Sequence, residues 1–383
     1  MNDYVSEFSR FYELREKCSS AFDGKARKLT IKDDLENLLQ YLSNSKYRNF
    51  HMDRYGDGLV EHFENEMKVL FNFESATFFP TGTMAQQIAL KFHTGNDESK
   101  VVGLHPLSHP LIFENQAFTE LARLQTQTIC SIDKMITAED VMKLKNEIDV
   151  LMLEVPMRDL GYLLPTWNEF KRISNAGKML GIAIHIDGAR IWEATHYWGI
   201  HLDEIVNFVD SIYVSLYKTI EGHSGAILLG DEKLQNFALN WRHKYGGKIY
   251  RQYPAIISAI RGMELNLPLV ADYILTSKII AKIFQTEFSK YAQFKYQIQP
   301  FPPQVNHFRI LIWIDAPKLN EISIKSMQIF GEAIFDHPWW FDGELTRASV
   351  AEFSINSSFD VGRQEKFLSQ LRFFIESVNS SLA

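Results

Sequence analysis

The sequence predicts an α/β protein with a large domain wound around a mostly parallel sheet and a smaller α+β domain at its C-terminal end. Three observations lead there. Strand and helix patterns alternate at short intervals from about residue 76 to residue 218, the rhythm of repeated βα units. Apolar runs such as Ile182-Ala-Ile-His-Ile186 read as buried strands. After Pro254 the rhythm gives way to long helices and separated strands.

The elements follow in order. Thr30 and Asp33 resemble a capping box, and Ile31, Leu35, Leu38, Leu39 and Leu42 recur at helical spacing, so residues 1–50 form an N-terminal helical segment. A second helix follows Gly56-Asp-Gly58. Strands are expected at Ala76–Phe79, Lys100–Leu104, Thr128–Ser131, Asp149–Glu154, Ile182–Ile186 and Asp210–Tyr217. Helices are expected at Met84–His93 and Asn115–Arg123, from Ala138, and after Pro165. These lie in a large domain of residues 51–258. A small domain, 259–383, holds a helix at Thr276–Tyr291, strands at His307–Ile314 and Arg347–Ile355, and a closing amphipathic helix at Val361–Val378.

Composition narrows the function. The chain has 383 residues, 46% of them hydrophobic, enough for a large buried core. Forty basic against forty-seven acidic side chains give a net charge of −7, which offers no footprint for nucleic acid or an anionic membrane. No apolar stretch approaches the roughly 20 residues needed to span a bilayer, and the N-terminus lacks a signal pattern, so a cytoplasmic location is expected. Cys18 and Cys130 have no metal-type spacing and read as packing thiols of a reduced protein; no metal site is expected.

Two strand patterns each end in a charge. Asp187 follows Ile182–Ile186 and Lys218 follows Asp210–Tyr217, which places both at C-terminal strand ends, where open α/β sheets keep their ligand crevices. A carboxylate for a protonated pyridine nitrogen and an amine for a Schiff base are what pyridoxal phosphate requires of a protein. Upstream, Phe78-Phe-Pro-Thr-Gly-Thr-Met-Ala-Gln-Gln87 runs from strand through a tight turn into a helix. There Gly82 would admit close backbone approach, while the N–H groups of Thr83 and Met84 and the Thr83 hydroxyl would serve a phosphate. Each feature also has a plain structural reading, as a turn and N-cap, a buried ion pair of Asp187 with Arg190, or a solvated lysine; the ordered set favours the cofactor.

Phe-Pro-Thr-Gly-Thr-Met, His185-Ile-Asp-Gly-Ala-Arg190 and Ser215-Leu-Tyr-Lys218 resemble the motifs of the threonine aldolase/β-eliminating lyase family, from about Arg54 to Arg251. The resemblance implies the aspartate-aminotransferase-like fold (fold type I), with a seven-stranded large-domain sheet. It implies pyridoxal 5'-phosphate as cofactor, Lys218 as the Schiff-base lysine, Asp187 as partner of the pyridine nitrogen and Arg190 as partner of the ring's phenolic oxygen. His109, with Glu114 at the matching offset, corresponds to the histidine that stacks on the ring, a candidate proton acceptor. Lys244 and Arg251 resemble the basic, glycine-containing segment that reaches the phosphate of a neighbouring subunit. That implies a homodimer or homotetramer with sites at the subunit interface.

The implied reaction is retro-aldol cleavage of a β-hydroxy-α-amino acid to glycine and an aldehyde. Alternatives are β-elimination, transamination or a transaldol reaction on the same cofactor, or a non-catalytic homologue that binds it. The chain departs from the family pattern after Glu154, where Val155-Pro-Met-Arg-Asp-Leu-Gly161 replaces an Asn-Thr-His run, and after Lys218, where Thr219-Ile-Glu-Gly-His223 replaces a Gly-Leu-Gly beginning. Arg347 is the candidate for the substrate carboxylate, with Arg309 as the alternative.

Overall fold

In the computed structural model, which describes residues 2–19, 21–22, 29–95, 101–144, 147–356 and 361–382, packing divides the chain into two compact units. One is Ile31–Leu269; the other joins Met1–Thr30 to Val270–Ala383. The sequence placed these limits at 50 and 258. They move because α1 (Asn2–Lys17) packs with C-terminal elements, whereas α2 (Ile31–Asn44) packs on α11 (Tyr253–Asn266), which runs on past Pro254 inside the large unit.

Within the large unit α2 is followed by α3 (Leu59–Phe71), β1 (Ser75–Phe79), α4 (Gly82–His93), β2 (Val101–Leu104), and the single turns α5 (His109–Ile112) and α6 (Ala117–Glu120). Then come β3 (Gln125–Thr128), α7 (Ala138–Met142), β4 (Val150–Glu154), α8 (Trp167–Met179), β5 (Ala183–Asp187) and α9 (Ile191–Trp198). The unit closes with β6 (Ser211–Ser215), β7 (Ala226–Gly230), α10 (Glu232–Lys244) and α11. The seven strands lie in the order β1-β7-β6-β5-β4-β2-β3. Only β7 runs against its neighbours, pairing antiparallel with β1 and β6. The sheet is therefore seven-stranded and mostly parallel, the α/β class expected. Strands β1, β6 and β7 are buried along their whole length, as helix-covered sheets require.

Three expectations shift locally. Strand β3 is Gln-Thr-Gln-Thr at 125–128 rather than Thr128–Ser131, because an edge strand is set by its pairing, Val101 with Gln125 and Leu104 with Thr128, and largely faces solvent. The helix expected at Asn115–Arg123 is one turn long, because Asn115, Gln116 and Arg123 adopt positive φ of 47°, 60° and 56°. The strand expected to Tyr217 stops at Ser215, and Ala-Ile-Leu-Leu-Gly at 226–230, unassigned in the sequence, supplies the antiparallel strand. Lys100, expected to open β2, lies outside the described residues.

The second unit adds to α1 the elements α12 (Val270–Tyr291), β8 (Tyr296–Gln299), β9 (His307–Ile312), α13 (Ala316–Phe330), β10 (Trp340–Asp342), β11 (Ala348–Ser354) and α14 (Gln364–Ser380). Its four strands form an antiparallel sheet in the order β10-β11-β9-β8. Phe284, Phe308, Phe335, Trp339, Phe353 and Phe374 fill its core. Trp339 and Phe374 stack with ring planes 7° apart.

Candidate active site

Parallel pairing of β4, β5 and β6 brings three chain segments to one edge of the sheet. Asp187 is the last residue of β5 and only 2% exposed. Glu154, the last residue of β4, stands opposite it in register, and Tyr213 of β6 stands opposite on the other side. Gln86 Nε2 donates to Asp187 Oδ2 at 2.7 Å, and the Ala189 N–H donates to Oδ1 at 3.1 Å. The carboxylate is thus held from the α4 side and by the turn that follows β5.

Lys218 lies three residues beyond β6, half-buried. Burial and the positive charge of Arg190 bring its pKa down to about 8, against the opposing pull of Asp187 and Glu154. An amine so poised is a nucleophile at near-neutral pH. Burial, then the negative charge of Asp187, pushes Glu154 up to about 7. Glu154 still accepts the N–H groups of His109 at 2.9 Å and Arg158 at 3.1 Å.

His109 opens α5 with its Nδ1 3.4 Å from Glu114 Oε1. The same Glu114 oxygen accepts the Thr83 hydroxyl at 3.1 Å. The ring of Phe113 lies 5.3 Å from His109, and the Arg158 guanidinium 5.1 Å from Phe113. Arg158 also contributes to lowering Lys218, so it belongs to the same electrostatic neighbourhood. Arg190, at the N-cap of α9, sits 5.1 Å over the ring of Tyr162.

The turn before α4 corrects one expectation. The helix starts at Gly82, with Thr81 as its N-cap accepting the Met84 N–H at 3.3 Å. The Met84 N–H and the Thr83 hydroxyl are therefore engaged within the chain. Among the described residues, no acceptor meets the N–H groups of Gly82 and Thr83, which remain for an anion at this helix N-terminus. Gly82 is required by crowding: a Cβ there would come within 2.5 Å of Tyr213 Cζ.

Lys244 and Arg251 are not gathered into this cluster by any described contact. Lys244 is exposed at the end of α10, its Nζ 4.4 Å over Trp241. Arg251 donates to the carbonyls of Met52 and Asp53 and lies 4.4 Å over Tyr250. Between them, Gly247 packs on Met84, where a side chain would strike the thioether. In the second unit, Arg347 lies just before β11 rather than on it, exposed with φ 50°. Arg309 is buried and paired with Glu352 at 2.8 Å.

The connection after Lys218 is anchored at each step. Thr219 Oγ1 donates to the buried Glu193 at 2.8 Å, Asn266 Nδ2 to the Ile220 carbonyl at 2.9 Å, and the His223 N–H to Ser258 Oγ at 2.9 Å. Gly222 has no room for a Cβ, which would meet the Leu216 carbonyl at 2.5 Å and the Ala259 Cα at 3.0 Å.

The sequence did not single out Glu154, Arg158, Gln86 or Tyr213 as site residues. Glu154 carried the same signal as Asp187, an acid ending an apolar strand, and Gln86 the signal of an amide on the buried stripe of α4.

The beta-eliminating lyase family model matches residues 51–287. The low specificity L-threonine aldolase of Escherichia coli K12 is 31% identical over 229 residues, which are 56% of this chain and 66% of that protein, just under two thirds of its length. Among solved structures, a candidate L-allo-threonine aldolase from Listeria monocytogenes EGD-E superposes with a TM-score of 0.85 at 28% identity, covering 96% of this chain and 99% of the other. A candidate aromatic amino acid β-eliminating lyase/threonine aldolase from Exiguobacterium sp. 255-15 gives a TM-score of 0.85 at 26% identity, covering 95% and 99%.

Proposed function

The chain belongs to the beta-eliminating lyase family, and on that premise we propose that it is a pyridoxal-phosphate-dependent carbon–carbon lyase, cleaving a β-hydroxy-α-amino acid to glycine and an aldehyde. The observation that carries the reading is that Asp187 ends β5 and Lys218 follows the neighbouring strand β6 by three residues, with the lysine amine brought down to about 8. The donor set fits the cofactor: a buried carboxylate, a nucleophilic amine and two unengaged N–H groups at a helix N-terminus. When bound, the cofactor supplies an electron sink for the bond broken at the substrate Cα.

The chain's residues take complementary roles. Lys218 would hold the cofactor through Nζ. Asp187 would hold the proton on the ring nitrogen, and Arg190 would bind the phenolic oxygen. Gly82, Thr83 and Met84 form the phosphate turn, contributing the free N–H groups of the first two. His109, oriented by Glu114, would lie against the cofactor ring and serve as acceptor for the β-hydroxyl proton. Arg347 is the candidate for the substrate carboxylate. Lys244 and Arg251, unattached to this chain's own cluster, serve the phosphate of a second subunit, so the working protein is a homodimer or homotetramer. Among the described residues no helix is long and apolar enough to cross a membrane; we place the enzyme in the cytoplasm.

A second reading, another reaction of the same cofactor, is favoured by Arg158, which stands near Lys218 where the family pattern has its Asn-Thr-His run. The visible spectrum of the purified protein and of Lys218→Ala tests the cofactor, and a panel of β-hydroxy amino acids tests the reaction. Glycine with an aldehyde supports cleavage; a keto acid with ammonia supports elimination. A parent protein with no lysine-dependent visible band overturns the assignment.

A further inference from the structure

A line of buried polar side chains crosses the interior between α4 and the sheet and ends on Asp187. Gln86 Nε2 donates to Asp187 Oδ2 at 2.7 Å, and Gln86 Oε1 lies 3.2 Å from His185 Nε2. His185 Nδ1 is 2.7 Å from Ser211 Oγ, which is 2.7 Å from His93 Nε2. His185 and Ser211 are wholly buried and Gln86 is 2% exposed.

One proton arrangement satisfies every member. Asp187 is an acceptor, so the Gln86 amide presents its NH2 to it and its oxygen to His185, whose Nε2 must then carry hydrogen. Burial pushes His185 well below its usual value, leaving Nδ1 bare to accept the Ser211 hydroxyl. The Ser211 oxygen is left to accept from His93, which burial lowers to about 4. Reversing the amide would set its oxygen against the carboxylate, a clash that no imidazole tautomer relieves. The line therefore has a direction, and it points a donor at Asp187.

We propose that Gln86 and His185 are positioning residues for Asp187, fixing the orientation of the carboxylate that would hold the cofactor's ring nitrogen. This rests on the cofactor reading above. A line that merely stapled α4 to the sheet would have no need to end on the carboxylate; apolar side chains fill that role elsewhere along the helix, as at Ile88 and Ala89.

The test uses the cofactor-loaded protein and the variants Gln86→Leu, His185→Leu and Ser211→Ala. The expected result is graded along the line. Gln86→Leu lowers kcat about tenfold or more with little change in KM, and moves the pH midpoint of the bound cofactor's visible band by about half a unit or more. His185→Leu does the same to a smaller extent and Ser211→Ala least. His185→Gln, which keeps a donor for the Gln86 oxygen, recovers part of the loss. Should Gln86→Leu fail to fold, the isosteric Gln86→Glu, which replaces the donor with an acceptor, shifts the band in its place. Variants that fold and hold the cofactor with parental midpoint and kcat overturn the positioning role alone. A parent without the band overturns the cofactor reading itself, and this role with it.

Discussion

Glu154 and Asp187 end neighbouring parallel strands in direct register, so two carboxyl groups flank one lysine amine. Their chemistry differs by environment. Asp187 accepts a side-chain amide and a backbone N–H, while burial and the charge of Asp187 raise Glu154 to about 7. Near neutrality Glu154 is poised to hold or release a proton beside Lys218.

Lys218 is the first test of this balance. Its folded pKa of about 8 lies below the ordinary 10.5, so the charged amine opposes folding, fully so below pH 8. In the cofactor-free protein, Lys218→Met should raise stability at pH 7 by roughly 1–3 kcal/mol. The gain should shrink as pH rises from about 8 to 10.5, where the parent sheds the penalty. Thermal melts across that range check it, and a gain that persists unchanged at high pH would count against the buried amine.

Removing Arg158 takes a positive charge from the neighbourhood of the same amine. Arg158→Leu should therefore raise the Lys218 pKa, shifting the pH dependence of its capture of pyridoxal phosphate to higher values. An unmoved profile would place the guanidinium outside the amine's effective field.

His109 and Glu114 act as a pair. His109→Asn should lower the cleavage rate about 100-fold while leaving cofactor affinity within a few-fold. Glu114→Gln, which alters a carboxylate shared by His109 and Thr83, should give a smaller loss of the same kind. Steady-state kinetics alongside cofactor titration separates the two effects.

Gly82→Ala tests the crowded turn. The new Cβ would press on the Tyr213 ring, forcing either the tyrosine or the start of α4 to move. A stability loss of about 1–3 kcal/mol and weaker cofactor retention are expected. Wild-type melting and retention would show that Tyr213 yields freely.

Much of the framework was legible because strand burial writes itself into the sequence. β4, β5 and β6 are apolar runs capped by chemistry, so Asp187 and Lys218 stood out at their ends. β3 was misplaced by three residues because an edge strand of alternating Gln and Thr carries no apolar signal, and its register is dictated by β2. The engagement of the Thr83 hydroxyl by Glu114 was hidden for a different reason: the partners are 31 positions apart, and no local pattern joins them. Gln86 was passed over because an amide on a helix is ordinarily a surface residue, and only tertiary packing turns it inward.

The anchored connection after Lys218 also bears on when the site comes into being during synthesis. Ile220, Gly222 and His223 are all docked on α11, through Asn266, Ala259 and Ser258, and Gly262 packs against the Ile220 carbonyl. A nascent chain that has left the ribosome only as far as β7 already contains Asp187, Lys218 and the Glu193 partner of Thr219, yet Ile220, Gly222 and His223 still lack their partners on α11. Competence to capture the cofactor therefore waits for residues some forty positions downstream. A truncation series with end points running from β7 through the end of α11 should gain cofactor binding abruptly, once Asn266 is included, instead of accumulating it with length.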